Sequence, residues 1–282
     1  MVAIELIGGD PVAGFAQVVA RNNWAGDVPE ELEGPQPDWA ERRAAAFRAY
    51  YEHMPLRRTS RPRGSRMQLY RNFRWGDLAS FFVLDTRQYR TDQPCGDRSG
   101  PTCDGMLDPD ATPLGETQER WLMDGLDRST TRWNVIPQQI MMARVDRMPG
   151  DTELFGMDIW SGYEVARRRL MEFLATRRPA NPIVLTGDIH SNWVNDLKVD
   201  YENENAPVVG TEFVGTSISS GGDGVDTQDS TAAMLLENPW VKFFNAQRGY
   251  VRCTVTADQC VADYLVLDYV TRPLSPISTR AS

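Results

Sequence analysis

The sequence is poor in histidine, in long apolar runs and in net positive charge, and these deficits limit the functions it can carry. Two histidines occur among 282 residues, so each is examined as a candidate functional residue. No run of about 18 apolar residues is present, and we predict no membrane span. The formal net charge is −9, which argues against a general binder of polyanions, and we predict no nucleic-acid-binding module.

Cysteine is also scarce, and the four cysteines fall into two closely spaced pairs. Cys95 and Cys103 enclose GDRSGPT, and Cys253 and Cys260 enclose TVTADQ. Metal binding is the alternative, but neither pair has CxxC spacing and no histidine lies nearby. We therefore predict two local disulfides and an oxidising compartment. Residues 1–20 lack the basic start of a signal peptide, so we predict none there.

The remaining composition is that of a globular protein, with 41% hydrophobic and 24% charged residues. A buried strand is predicted at 79–84, an amphipathic helix at 115–130 and a strand at 133–136. A long helix at 160–178 and an apolar run at 183–185 follow. This alternation of strands and helices predicts an α/β fold.

Flanking segments extend this pattern. Asp38 is a predicted N-cap for a helix over 39–52, and His53 lies in its last turn, where a cation suits the helix dipole. Residues 219–224 form a glycine-rich loop that lacks the lysine of a P-loop, so we interpret it as a flexible loop over the site. Further strands are predicted at 67–77, 208–217, 241–246, 250–256 and 261–270, and a short helix at 232–237.

The run at 183–185 leads into the most informative stretch, residues 181–196, NPIVLTGDIHSNWVND. Asp188 and His190 follow the predicted strand with one residue between them. Functional groups gather at strand ends in α/β proteins. A carboxylate and an imidazole delivered together to a sheet edge indicate a metal site.

Residues 185–193, LTGDIHSNW, resemble the GDxHxxW signature of the PhoD-like alkaline phosphatases, members of the metallophosphoesterase superfamily. Other segments resemble the same family, and the resemblance covers roughly residues 20–275. These segments are NNWAG at 22–26, residues 43–55 of the first helix, LDTRQYR at 84–90, GETQ at 115–118 and FVGTS at 213–217.

The resemblance implies a metallophosphoesterase-like sandwich of two sheets flanked by helices. It implies hydrolysis of phosphate monoesters and phosphodiesters with Ca²⁺ and Fe³⁺, so that the expected partner is a phosphate ester substrate. By motif match, Asp188, His190 and Asn22 are the metal ligands, and Arg43 is a candidate phosphate contact. The family is exported, which agrees with the predicted disulfides and indicates an extracytoplasmic location.

Elementary chemistry supports these assignments. A transferring phosphoryl group needs its charge neutralised and its leaving oxygen stabilised, which adjacent metal ions do. Carboxylate and amide oxygens such as those of Asp188 and Asn22 suit calcium, and the neutral imidazole of His190 suits iron. An arginine such as Arg43 can bind two phosphate oxygens at once.

The N-terminal motifs of the family, a GDxxY-type motif and a metal-binding cysteine, have no counterpart in this sequence. No cysteine or tyrosine precedes Asn22, and Asp10 is the sole aspartate before it. We therefore expect a fold incomplete at the N-terminus, with the C-terminal part of a PhoD-like metallophosphatase domain at 22–275. An atypical segment at 1–21 precedes it and a tail at 276–282 follows.

Too few candidate ligands remain for a complete metal centre, which has two consequences. We expect metal occupancy to be incomplete and hydrolysis to be impaired in this chain. The alternative is a non-catalytic remnant of the family that binds at most phosphate or one metal weakly. A third hypothesis is a distinct metallophosphoesterase that obtains its remaining ligands from a partner subunit.

Overall fold

The computed structural model describes the backbone of residues 2–6 and all atoms of residues 23–29 and 38–282. Four α-helices occur in these ranges: α1 (Trp39–His53), α2 (Gly115–Asp127), α3 (Glu164–Arg177) and α4 (Thr231–Glu237). The strands in the same ranges are β1 (Val2–Leu6), β2 (Arg71–Trp75), β3 (Ala79–Val83), β4 (Trp133–Pro137), β5 (Pro182–Thr186), β6 (Asn192–Lys198), β7 (Val208–Val214), β8 (Gly224–Val225), β9 (Val241–Val255), β10 (Cys260–Leu267) and β11 (Ile277–Ala281).

Hydrogen bonds join these strands into one 11-stranded sheet in the described part of the chain. Its order is β11-β10-β9-β6-β7-β5-β4-β3-β2, and β1 and β8 also pair with β9. Strands β3, β4, β5 and β7 run parallel to their neighbours in that series. Because parallel strands end at the same edge, the segments after β3, β4 and β5 meet there.

Two layers form because the sheet folds over through β9. The first half of this 15-residue strand pairs with β6, and its second half pairs with β1 and β10. Phe81, Val135 and Ile183 of the central strands share a buried apolar cluster with Val251 and Tyr264 of β9 and β10. The outer half of the sheet therefore packs on one face of the parallel strands.

Helices cover the other face of the parallel strands. Leu122 of α2 and Leu170 of α3 pack in the largest apolar cluster together with Ile136 of β4 and Val184 of β5. All four side chains are buried. This alternation of buried strand runs with amphipathic helices confirms the predicted α/β class. Within the described ranges, no helix combines the length and the apolar character needed to cross a bilayer.

Most predicted elements are present, with shifted ends. Asp38 caps α1 as expected, since its Oδ1 accepts from the amides of Ala40 and Glu41 at 2.8 and 3.4 Å. The strand predicted at 67–77 is shorter, because the Gln88 side chain bonds the backbone N and O of Met67 in place of a neighbouring strand. The helix predicted from residue 160 starts as a 3-10 turn at Trp160–Tyr163.

The C-terminal half departs further from prediction. The strands expected at 241–246 and 250–256 are one continuous strand, β9, because Gly249 keeps its backbone in line beside Leu265 of β10. Strand β6 was not predicted at all. The segment expected to be a tail contains β11, which pairs with β10.

The cysteine predictions have opposite outcomes. Cys95 and Cys103 form the expected disulfide. The predicted bridge between Cys253 and Cys260 is wrong, since both are free thiols. In the β9–β10 register Cys253 lies opposite Ala262, so the two cysteines are diagonal neighbours on adjacent strands. Diagonal pairs are about 7–8 Å apart at Cα, beyond the usual span of a disulfide.

Candidate functional site

The loop between β5 and β6 holds Asp188 and His190 in a tight turn. Five residues separate Thr186 at the end of β5 from Asn192 at the start of β6. Asp188 and His190 have φ angles of 67° and 57°, in the left-handed region. Few residues other than glycine adopt this conformation, although aspartate and histidine do so more than most. Such strain persists where surrounding contacts enforce it, commonly at functional sites.

Asp188 is half-buried beside a group of charged residues, whereas His190 is exposed. Burial raises the pKa of the Asp188 carboxyl, and Asp158 raises it further. Arg87, His190 and Arg90 act in the opposite direction, and Arg87 has the strongest effect of the three. The net pKa is raised, so the site disfavours a bare negative charge at Asp188 and would be relieved by a bound cation.

A buried charge cluster centred on Asp158 lies next to this loop. Asp158 Oδ1 accepts from Arg87 Nη1 at 2.9 Å and from Arg90 Nη2 at 2.6 Å, and Oδ2 accepts from Arg87 Nη2 at 3.1 Å. Burial by itself raises the pKa of Asp158, but the two arginines outweigh burial and the pKa is lowered. Asp158 therefore carries its charge as a counter-ion to two buried cations.

The same cluster binds the backbone of Asn23, the residue after the predicted ligand Asn22. Arg90 Nη2 donates to the carbonyl oxygens of Asn23 and Trp24 at 3.2 and 3.1 Å. Gln93 Nε2 donates both to Asn23 O and to Asp158 Oδ1. Asn22 itself lies outside the described residues. Its neighbour is nevertheless attached to the cluster that flanks Asp188.

The disulfide-closed loop contacts this segment from another side. Asn23 Nδ2 donates to Asp97 Oδ2 at 2.8 Å, and Asp97 lies between the bonded cysteines Cys95 and Cys103. Burial raises the pKa of Asp97 to about 6, which the hydrogen bond from Asn23 partly offsets. The disulfide thus restrains a loop whose carboxylate orients residue 23.

Arg43 lies on α1 and contacts the turn that follows Asn23. Its Nη1 donates to Gly26 O, and its Nη2 donates to Asp27 Oδ1 at 2.8 Å. The guanidinium carbon is 5.6 Å from the centroid of the Trp24 ring. Arg43 is buried, so these contacts hold the turn against the helix. Its predicted contact with phosphate stays a prediction.

Arg248 of β9 secures the other side of the site loop. Its Nη1 donates to the carbonyl oxygen of His190 at 2.6 Å, and its Nε donates to Gly222 O at 2.9 Å. A further bond reaches Gly221 O at 3.3 Å. One arginine therefore ties the glycine-rich segment to the carbonyl of a predicted metal ligand.

Sequence reasoning missed Arg87, Arg90, Asp158 and Arg248 as site residues. Arg87 and Arg90 belong to LDTRQYR at residues 84–90. This segment resembles the family, but nothing in it indicates that its arginines are buried beside the site. Asp158 lies in an irregular loop about 70 residues further along the chain, and no periodicity marks it. Arg248 is an arginine in a strand that alternates buried and exposed positions, so nothing in the sequence indicates where its side chain goes.

The described residues do not complete a metal centre. No group of three or more His, Cys, Asp and Glu side chains suited to hold a metal ion occurs among them. Asp188 and His190 supply a carboxylate and an imidazole, which are suitable donors for hard and borderline cations. Two donors are too few for the binuclear site that the family resemblance implies.

The fold and site define an α/β protein whose candidate metal ligands lie at the carboxyl end of a central parallel strand. The sequence profile of the PhoD-like phosphatases matches residues 20–264, and the chain belongs to this family. It is 49% identical over 262 residues to "Alkaline phosphatase D" of Bacillus subtilis (strain 168), covering 93% of this chain and 45% of that protein.

A solved structure described as "Structure of PhoD" has the same fold. It superposes with a TM-score of 0.88 at 48% sequence identity, covering 93% of this chain and 50% of the other. The chain therefore spans about half the length of the relatives it matches.

Proposed function

We propose that this chain carries the Asp188–His190 part of a phosphatase centre and that this centre hydrolyses phosphate monoesters and phosphodiesters with bound Ca²⁺ and Fe³⁺. The single observation that carries the proposal is the strained loop after β5, which holds a carboxylate and an imidazole together at a sheet edge. Membership of the PhoD-like phosphatase family supports phosphate esters as the substrate class.

In this proposal Asp188 and His190 are metal ligands, Asn22 is a third ligand, and Arg43 contacts the phosphate. The attachment of Asn23 to the Asp158 cluster supports the role of Asn22, because the same cluster flanks Asp188. Arg43 would reach the phosphate by exchanging its bond to Asp27, whose side chain is largely exposed. Hydrolysis is impaired as long as the remaining ligands are not supplied.

A second candidate function is non-catalytic binding of phosphate or of one metal ion. It is favoured by the same shortage of donors, since the described residues offer no group of three. It differs from the first in predicting retained binding without turnover.

The test combines turnover with metal content. The 282-residue chain is assayed with p-nitrophenyl phosphate and bis-p-nitrophenyl phosphate, with and without added Ca²⁺ and Fe³⁺, and bound metals are measured by mass spectrometry. The phosphatase proposal predicts metal-stimulated turnover that Asp188→Ala and His190→Ala abolish. His53→Ala is the matched control, because His53 is the other histidine of the chain and ends α1.

The outcomes separate the two functions. Bound metal that requires Asp188, without turnover, supports the non-catalytic alternative. Absence of both bound iron and turnover in the unaltered chain would sink the phosphatase proposal for this chain.

We further propose an extracytoplasmic location for the chain. The Cys95–Cys103 disulfide supports it, since such bonds persist in oxidising compartments. Fractionation of cells that express the natural gene, followed by immunoblotting of the chain, tests this location.

A further inference from the structure

A cavity of about 320 Å³ opens beside His190 and is not part of the Asp158 cluster. Part of the cavity lining is apolar. The Trp193 and Phe244 rings meet edge to face with centroids 4.5 Å apart, and Trp193 Nε1 donates to Ser191 Oγ at 2.7 Å, which fixes the indole. Met234 also lines the cavity. The volume is at the small end of ligand sites, which span roughly 300–1,000 Å³.

Arg147 also lines the cavity, and it is a cation without a counter-ion among the described residues. Its Nη2 donates to Ser99 Oγ at 2.7 Å. Its Nε is buried and has no hydrogen-bond partner in the described part of the chain. Burial lowers the pKa of Arg147, and no nearby carboxylate raises it. Arg87 and Arg90, by contrast, share Asp158 as a counter-ion.

The other arginine of the cavity, Arg248, has most of its donors engaged. Arg248 spends its Nε–H and both terminal nitrogens on carbonyl oxygens of the site loop and the glycine-rich segment. The Arg147 guanidinium makes one hydrogen bond among the described residues, to the Ser99 hydroxyl, and its other N–H groups are available to a ligand. A guanidinium group binds carboxylate or phosphate oxygens in pairs, and a partly buried cation without a counter-ion is costly to maintain. The cavity is therefore suited to an organic anion with an apolar part.

We propose that this cavity binds the alcohol half of the ester substrate and selects alcohols that carry a second anionic group, held by Arg147. The apolar part of the alcohol lies against Trp193 and Phe244, and the anionic group is a carboxylate or a second phosphate. The assignment to the ester substrate rests on the proposed function, because His190 both lines the cavity and is a proposed metal ligand at the reacting phosphate. Anion binding by Arg147 does not depend on turnover.

Equilibrium binding tests the site without requiring catalysis. The full chain is titrated calorimetrically, in the presence of EDTA, with 3-phenylpropionate and with its neutral analogue 3-phenylpropanamide. The two probes share their shape and differ in charge. A charge-assisted hydrogen bond to the guanidinium predicts that the acid binds roughly 10-fold or more tightly than the amide. 2-Phenylethylphosphonate, as a third probe, shows whether a phosphate-like group is preferred to a carboxylate.

Variants test whether Arg147 causes the preference for the acid over the amide. Arg147→Met removes the charge at similar length and should abolish the preference for the acid, while Arg147→Lys should retain part of it. Arg98→Met is the matched control, because Arg98 is exposed one residue from Ser99 and its loss changes the net charge equally. Circular dichroism verifies folding, and Arg147→Gln replaces the methionine variant if that one does not fold.

The proposal would be overturned if the acid and the amide bound the unaltered chain equally well. It would also be overturned if neither of the two bound. An unchanged preference in Arg147→Met would also overturn it. Where the chain shows turnover, esters whose alcohol carries a carboxylate should lose their advantage in kcat/KM over p-nitrophenyl phosphate in Arg147→Met and keep it in Arg98→Met. If turnover is absent but the acid binds through Arg147, the anion site stands and the phosphatase proposal fails.

Discussion

Asp158→Asn measures how strongly the buried charge cluster stabilises the fold. Asp158 Oδ1 lies 2.9 Å from Arg87 Nη1 and 2.6 Å from Arg90 Nη2, and these two arginine side chains are 1% and 0% exposed. An asparagine carries no charge, so both cations lose the negative charge to which they are bonded. Removing one partner of a buried ion pair costs about 3–5 kcal/mol. That is a large part of the roughly 5–15 kcal/mol that keeps a domain folded.

Urea unfolding followed by circular dichroism at pH 7 gives the loss, because urea does not screen charges. Asp127→Asn is the control: Asp127 accepts two bonds of 2.6 Å from Arg177, but that pair is exposed. Solvent screens exposed pairs, so the control should lose far less stability than Asp158→Asn. Equal losses in the two variants would refute the argument that burial makes the cluster important.

The pH dependence of the free energy of unfolding provides a second test of the contribution of Asp158. Its pKa in the folded state lies below the unfolded value of about 3.9. The carboxylate therefore contributes its full stabilisation above that pH, and the contribution is lost as pH falls through the folded pKa. The difference in free energy of unfolding between the unaltered chain and Asp158→Asn should be constant from pH 5 to 7 and should become smaller below about pH 4.

Three further predictions concern other parts of the chain. Arg248→Met frees the segment 219–224, so limited proteolysis should cut there faster than in the unaltered chain, and an unchanged rate would contradict the anchoring role. Thiol titration should find Cys253 and Cys260 reactive after unfolding without reductant, whereas no reactive thiol would indicate a second disulfide. Arg147→Met removes a cation that has no counter-ion in the described part of the chain, so its urea midpoint should equal or exceed that of the unaltered chain; a large decrease would point to a structural role.

The parts of the fold predicted from the sequence are those set by local pattern. The apolar run at 183–185 marked β5, and the polar residues after it marked the site loop. Strand β6 escaped prediction because it buries polar side chains: Asn192 bonds Asn245 at 3.0 Å and Asn195 bonds Glu212 at 3.0 Å. Buried amides hide the alternation of apolar and polar residues that identifies a strand.

The charge cluster could not be predicted for a related reason. Arg87 and Asp158 are 71 residues apart in sequence, and an arginine is normally assigned to the surface. Its burial depends on a partner that local sequence does not reveal. Asp188 and His190 were found from a strand end, whereas the residues that hold them in place depend on tertiary structure.

In the proposed phosphatase function, the distribution of charge around the site determines how an anionic ester is captured. The chain has a net charge of −9, so its overall field repels anions at distances up to the Debye length, about 8 Å at physiological ionic strength. Asp158 is the shared counter-ion of Arg87 and Arg90, and one carboxylate offsets one of these two positive charges, so the attraction left to the three residues is weak beside the net charge of −9. Capture in this function is then expected from short contacts with donors such as Arg147, which lines the cavity beside His190 and has no counter-ion among the described residues. Selectivity among esters would accordingly reside in dissociation rates more than in association rates.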